Sequence, residues 1–430
     1  MKLTRIGALI ASVVLAISAC SGTAGSTPGA TAAATPGATA AATPAAATAP
    51  TDPLGVVTIP SGESLHIAFW GVLSGADASL GQDSLTGAQL AAEAKGGKLL
   101  DHTIQLTTED GLCTPEGGAT AAQKMAADKT IVALVGSSCS DETVGGIKAL
   151  TDAGLTTISP SNTRPALTAA DRDATYAGYA RTAHSDAFQG KAVAEFVFNS
   201  LKLTKAATIH DGSAYAEALQ GVFADEFKKL GGTITVQEAV SKGQTDMKPV
   251  LTKVASSSPE VVYFPIFIAE GAAIAAQAAE VPGLENAKLI GSDGMFSGDM
   301  VKAAGPGAEG MYLSSPNFSA FQSGYTDFLA KYKAKVGKDP IGPFHAHAYD
   351  ATNLIFAAIE KVAVKASDGT LHIPRKALRD AIFATKDFKG ITGVLSCSAT
   401  GDCGAPLIAV YQVTAREVGG AWPPEKPIWP

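Results

Sequence analysis

From residue 62 onward, short apolar runs alternate with longer amphipathic ones. The clearest stretch is 131–163, IVALVGSSCSDETVGGIKALTDAGLTTISPSNT. Residues 131–135 are apolar and rich in β-branched side chains, the pattern of a strand buried on both faces. A small polar turn, 136–140, follows. From Asp141 the acidic start and the spacing of Val144, Ile147 and Leu150 predict a helix. Gly154 can end it in the left-handed C′ conformation. Residues 155–158 predict the next strand, and 159–163 a second polar turn. Two successive parallel strands thus place polar loops at their carboxyl ends, where open α/β sheets bind small ligands. Loop hydroxyls and helix-start N–H groups there suit an anion such as a carboxylate. Ser140 taken by itself fits a helix N-cap before it fits a ligand contact.

The same alternation runs through the rest of the chain. Strands are predicted at 66–70, 104–108, 207–210, 234–236, 261–265, 288–291, 310–314 and 407–413. Helices are predicted at 87–94, 118–127, 190–201, 214–230, 247–255, 271–280, 325–336, 347–364 and 375–383. Interleaving of this kind gives parallel sheets covered by helices on both faces. So many βα units exceed one sheet of ordinary size, so an α/β fold of two similar, doubly wound lobes is expected.

The N-terminal segment reads as targeting sequence. Lys2 and Arg5 precede an apolar run, 6–17, too short with its flanks to span a bilayer. It meets Ile17-Ser18-Ala19-Cys20, which resembles the bacterial lipoprotein signal. Residues 1–20 are therefore expected to be a signal peptide ending in a lipidated Cys20, with the protein held extracytoplasmically on the outer face of a membrane or in a periplasm. Residues 21–61, with TPGATAAATPGATAAATPAAAT at their centre, have almost nothing to bury and predict a disordered tether. A flexible chain of that length spans roughly 35 Å.

Asp and Glu number 40 against 33 Lys and Arg, a mildly acidic balance. With no basic stripe and no aromatic-basic interleaving, nucleic acid is not an expected partner. No GxSxG elbow, HExxH, P-loop or dinucleotide fingerprint is present, so no catalytic role and no cofactor is expected. His345 and His347 lie two apart without a third ligand nearby, and no metal site is expected. Of 5 cysteines, Cys20 is taken by the lipid signal. The other four fall into two local sets, Cys113 with Cys139 and Cys397 with Cys403. The second brackets a turn, SCSATGDCG, where a staple is plausible in an exported protein, and zinc is the weaker reading.

The chain resembles the leucine/isoleucine/valine-binding proteins, solute receptors of bacterial branched-chain amino-acid ABC transporters with the type I periplasmic binding protein fold. The resemblance covers about 64–415. It rests on GVLSGADASLGQDSLTGAQLA, DGLCTPEGGATAAQKMAADKTIVALVGSSCSDET, ISPSNTRPALT, RTAHSDAFQGKAVAEF, HDGSAYAEAL, GSDGMF, AEGMYLSSP and ITGVLSCSATGD, in order. It implies two lobes joined by three crossovers, 62–182 with 317–390 and 183–316 with 391–430, closing on a ligand. It implies a Cys113–Cys139 disulfide beside the pocket. It implies that Ser140, Ser161 and Thr163 hold an α-carboxylate, that Asp293 pairs with an α-ammonium, and that Tyr215 covers the ligand. Leu80 and Phe267 stand where relatives have an aromatic and a tyrosine, which leaves an apolar wall. Asp293 is shorter than the family's usual glutamate, so the ammonium must come closer or bind through water. The implied protein is a monomeric receptor for an aliphatic amino acid that serves a membrane permease. An amide, a urea-like compound or a small aromatic acid is the alternative ligand, since one fold serves many functions.

Overall fold

A computed structural model describes residues 49–430. The signal segment, Cys20 and the tether as far as residue 48 lie outside the described residues. The tether expectation fails at its end. Residues Val56–Ile59 form a strand, β1, because VVTI alternates and buries Val57 and Ile59. Its partner is a strand more than 300 residues later, a pairing that local composition does not carry.

The first lobe grows from apolar runs buried on both faces. In chain order it comprises β2 (Leu65–Gly71), α1 (Ala78–Ala94), β3 (Lys98–Leu99), β4 (His102–Asp110), α2 (Pro115–Ala127), β5 (Ile131–Gly136), α3 (Ser140–Asp152), β6 (Thr157–Ser159) and β7 (Tyr179–Arg181). The sheet order is β3-β4-β2-β5-β6-β7, parallel except for the short β3–β4 hairpin. β7 was not predicted; it is three residues long and has no amphipathic period. Trp70, Leu134, Ile147 and Leu150 fill one face of this sheet, and Ile67, Phe69, Val135, Ile355 and Phe356 the other.

The second lobe repeats the plan. It contains α4 (Asp186–Glu195), continued by a wider turn over Phe196–Ser200, then β8 (Lys205–His210), α5 (Ala214–Lys229), β9 (Thr233–Ala239), α6 (Lys248–Ser256), β10 (Val261–Tyr263), α7 (Ile268–Ala278), β11 (Lys288–Gly291), α8 (Gly298–Ala304) and β12 (Tyr312–Pro316). The chain then returns to the first lobe as α9 (Gly324–Val336), α10 (His345–Val362), β13 (Val364–Lys365), β14 (Leu371–Pro374), α11 (Arg375–Phe383), β15 (Phe388–Lys389) and β16 (Val394–Leu395). β14 is the partner of β1. The chain ends in the second lobe as β17 (Ile408–Gln412) and α12 (Ala415–Val418). The second sheet runs β17-β12-β11-β10-β8-β9, with only β17 antiparallel.

Three connections cross between lobes: β7 to α4, β12 to α9, and the approach to β17. The third crosses later than expected. Residues 391–403 were assigned to the second lobe, yet they belong to the first. Arg181 of β7 ion-pairs with Asp402 at 2.8 Å, Cys403 N–H donates to the Arg181 carbonyl, and β16 pairs with β15. A buried guanidinium needs a carboxylate, and Asp402 supplies it. Both expected disulfides form, Cys113–Cys139 and Cys397–Cys403.

In each sheet the chain direction of strand addition reverses once, between β2 and β5 in the first lobe and between β8 and β10 in the second. Crevices at the carboxyl ends of such strands take ligands, and here two of them face each other.

Candidate functional site

The facing crevices form one small cleft. Leu80, Ser138, Cys139, Ser140, Ser161 and Phe344 line it from the first lobe; Tyr215, Phe267, Asp293 and Gly294 line it from the second. With the lobes closed its free interior is only ≈ 10 Å³, about the space of one water, so a small-molecule ligand enters only when the lobes part. Six of the seven residues expected to bind ligand therefore meet at one place. The seventh, Thr163, lies behind the wall, beside the Asp186 carboxyl.

Helix starts supply the donor end. Cys139 is the N-cap of α3 and Ser140 its first residue, so Ser140 is not the cap and its N–H lacks an intrahelical partner. Glu142, one turn on and fully buried, fixes the turn ahead of it. Its carboxyl accepts N–H bonds from Cys113, Ser138 and Cys139, each 2.9 Å long. Burial still pushes that carboxyl up to about 7 against the pull of the three donors. Ser161 differs from expectation in one respect: its hydroxyl donates to the Ser138 carbonyl at 2.8 Å. It ties two loops together and meets a ligand only as an acceptor or through its backbone.

Carboxylates supply the opposite end. Asp293 follows β11 and is buried. Its Oδ1 accepts from Gln189 Nε2 at 2.6 Å and from the Tyr215 hydroxyl at 3.0 Å. Burial raises this carboxyl to about 6, against those donors. Behind it, Asp186 opens α4 as a second buried carboxyl whose two oxygens have no hydrogen-bond partner. Burial first, then repulsion from Asp293, lifts it well above the carboxylate range. His184 completes the corner. Its Nε2 lies 2.6 Å from Gln189 Oε1, and burial lowers the ring to about 4. His184, Asp186 and Asp293 each bring a nitrogen or oxygen within 4.8 Å of the others. The residue-level reading missed Asp186, His184, Gln189, Ser138 and Phe344. RTAHSDAFQG carries the family resemblance, and its visible signal is an acid at a helix start, Asp186 after the Ser185 cap.

The lobes are closed on the cleft. Two helices of the second lobe take their first hydrogen-bond acceptors from the first lobe. Asp141 accepts from Ala214 N–H of α5, and Asp77 from Ile268 N–H of α7, both at 3.1 Å. Lys242 reaches across to the Cys113 carbonyl at 2.9 Å and to Asp77 at 3.8 Å. Leu80, Phe267, Phe344 and the Tyr215 ring form the apolar wall, with the Tyr215 and Phe267 rings 5.2 Å apart. A roomier depression of ≈ 340 Å³ lies between Phe296, Tyr325, His345, Arg416 and Trp422. Its charged groups are already engaged, His345 by Asp83 and Tyr325 and Arg416 by Glu417 and Glu425, while the Trp422 indole N–H is left bare. The smaller cleft, with N–H donors at one end and the Asp293 carboxyl at the other, is the site.

Residues 64–416 match the family described as periplasmic binding protein. A Leu/Ile/Val-binding protein homolog of Brucella melitensis is 28% identical over 344 residues, 79% of this chain and 89% of that protein. The Leu/Ile/Val-binding protein of Escherichia coli is 27% identical over 302 residues, 70% and 80% of the two chains. Among solved structures, the branched-chain amino acid transporter substrate binding protein of Streptococcus pneumoniae, in complex with isoleucine, superposes with a TM-score of 0.71 at 24% identity, covering 86% of this chain and 100% of that one. A Rhodopseudomonas palustris solute binding protein in complex with benzoate also reaches 0.71, at 20% identity, with 85% and 97% covered. Fold, crossovers and match together place this chain in the periplasmic binding protein family, with the type I fold of the solute-binding proteins of ABC transporters.

Proposed function

We propose that this protein captures an aliphatic α-amino acid between its lobes and delivers it to an ABC transporter permease, working as a monomer outside the cytoplasm with Cys20 as its lipid anchor. One observation carries the reading: the cleft sets the free N–H end of α3 opposite Asp293, with Asp186 behind it and an apolar wall of Leu80, Phe267, Phe344 and Tyr215 between. A zwitterion with an aliphatic side chain satisfies all three surfaces. The carboxylate goes to the start of α3 at Ser140, with Ser161 beside it, and the ammonium to Asp293. Tyr215 is braced by Ser292 Oγ at 2.6 Å and covers the ligand from the second lobe. A small aromatic acid, as in the benzoate-bound neighbour, is the second reading, but it brings no cation to the two buried carboxyls.

A thermal-shift screen of amino acids, amides and small acids tests this. Leucine, isoleucine or valine at 100 times its dissociation constant should stabilise the fold by about 2.7 kcal/mol. Asp293→Ala should cost the amino acid about 1.5–3 kcal/mol of binding and its des-amino analogue much less, read by calorimetry as a double-mutant cycle. Equal losses on both ligands would transfer the assignment to an acid or amide receptor.

A further inference from the structure

Behind the cleft wall, next to Asp293, lies one more carboxyl than a single ammonium needs. Asp186 and Asp293 are both buried, with an oxygen of each within 4.8 Å of the other and of a His184 nitrogen. The side chain that donates toward Asp186 is the uncharged Thr163 hydroxyl, set outside full hydrogen-bond geometry. Arg181 is the cation whose field reaches Asp186, but its guanidinium is turned to Asp402, the Arg164 carbonyl and the Thr168 hydroxyl. The remaining neighbours are Tyr215 of α5 and Tyr263 of β10, which burial keeps protonated, neutral His184 from the crossover, and uncharged Gln189 on α4. Two carboxyls this close, out of water and without a cation, do not both ionise.

We propose that ligand capture here is a cation exchange: the Asp186–Asp293 pair holds one proton in the free cleft and gives it up when the ligand's ammonium takes its place. The idea rests on the amino-acid reading above and adds Asp186 to it as a specificity-determining residue. The geometry suits the exchange. N–H···O bonds of about 2.9 Å let one ammonium nitrogen join tetrahedrally placed acceptors about 4.7 Å apart. The ammonium keeps its three protons, the pair's proton passes to the buffer, and no other bond changes. One positive charge replaces another, so the buried charge stays balanced throughout. Affinity then rises with pH above about 6, where Asp293 titrates, by up to tenfold per unit while the pair still holds its proton.

Calorimetry of leucine binding to the full chain at pH 7.4, in buffers of different ionisation enthalpy, counts the protons. Wild type should release about one per ligand, and Asp186→Asn none while still binding leucine. The wild-type buffer series needs no variant to fold. No release by wild type, or equal release by Asp186→Asn, overturns the proposal. A ligand-independent arm separates it from the receptor reading. The infrared band of buried protonated carboxyls in the free protein should lose one carboxyl's intensity in Asp186→Asn. Should no amino acid bind while that loss is seen, the receptor reading fails and the proton held by the pair stands. Should the band be unchanged, the proposal fails. Zn²⁺ alone is the last probe: stoichiometric binding that blocks leucine would make the corner a metal site and overturn the exchange.

Discussion

At the scale of single residues, the site depends on side chains that never touch the ligand. Glu142 satisfies three backbone N–H groups that would otherwise be buried and bare. Glu142→Gln keeps the shape but turns an N–H₂ toward donors, so it should cost about 1–3 kcal/mol of stability and weaken binding through the displaced Ser138–Ser140 turn. Urea unfolding and ligand titration of the same variant measure the two effects. His184 acts on pH. Its ring titrates at about 4 when folded, lowered by burial, against about 6.5 unfolded. A lowered value favours the neutral form, so this stabilising contribution is fully present above about 6.5 and drains away as pH falls toward 4, by about 3 kcal/mol in total. His184→Gln should therefore lose less stability than wild type between pH 7 and pH 4.5. Parallel urea curves at both pH values for the two proteins would sink this account.

At the scale of elements, glycines and helix ends set the geometry. A Cβ on Gly145 would sit 2.0 Å from the Pro115 carbonyl oxygen, and one on Gly118 2.3 Å from that of Glu142. These glycines let α2 and α3 approach closely enough for Glu142 to reach the Cys113 N–H. The lips of the cleft use helix ends differently. α5 and α7 each begin in the second lobe with an N–H capped by a carboxylate of the first. A cap of this kind contributes about 1 kcal/mol, and here only closure makes it. Asp77→Ala with Asp141→Ala should thus weaken ligand affinity several-fold, mainly by faster release, while leaving the unfolding midpoint of the free protein nearly unchanged if its lobes stand open. Stopped-flow dissociation and urea unfolding together check this; an unaltered release rate would remove the caps from the closing mechanism.

At the scale of the molecule, three crossovers make a hinge, and one ion pair binds two of them to the first lobe. Arg181 is fully buried just before the first crossover, and Asp402 holds it from the segment before the third. Asp402→Ala leaves a buried guanidinium without its counter-charge and should cost about 3–5 kcal/mol, seen as a lower urea midpoint for the whole chain. The hinge lets the ligand select closure, because only the closed form brings α3 and Asp293 to opposite ends of one small molecule.

The sequence by itself determined the local plan. Buried β-branched runs and amphipathic runs specify strands and helices through their own periods, so the α/β class, the repeated lobe and most elements were legible in order. The resemblance added which loops converge: six of the seven expected residues line one cleft. Tertiary structure decided the rest, for a physical reason common to every case. β1 needs β14, the 391–403 segment needs the Arg181 charge, and α5 and α7 need carboxylates from the other lobe; each partner lies far along the chain. Asp186 is legible as a helix-start acid and nothing more. Only folding strips it of water, sets it against Asp293 and leaves it without a cation of its own, and that placement turns an ordinary aspartate into part of the site.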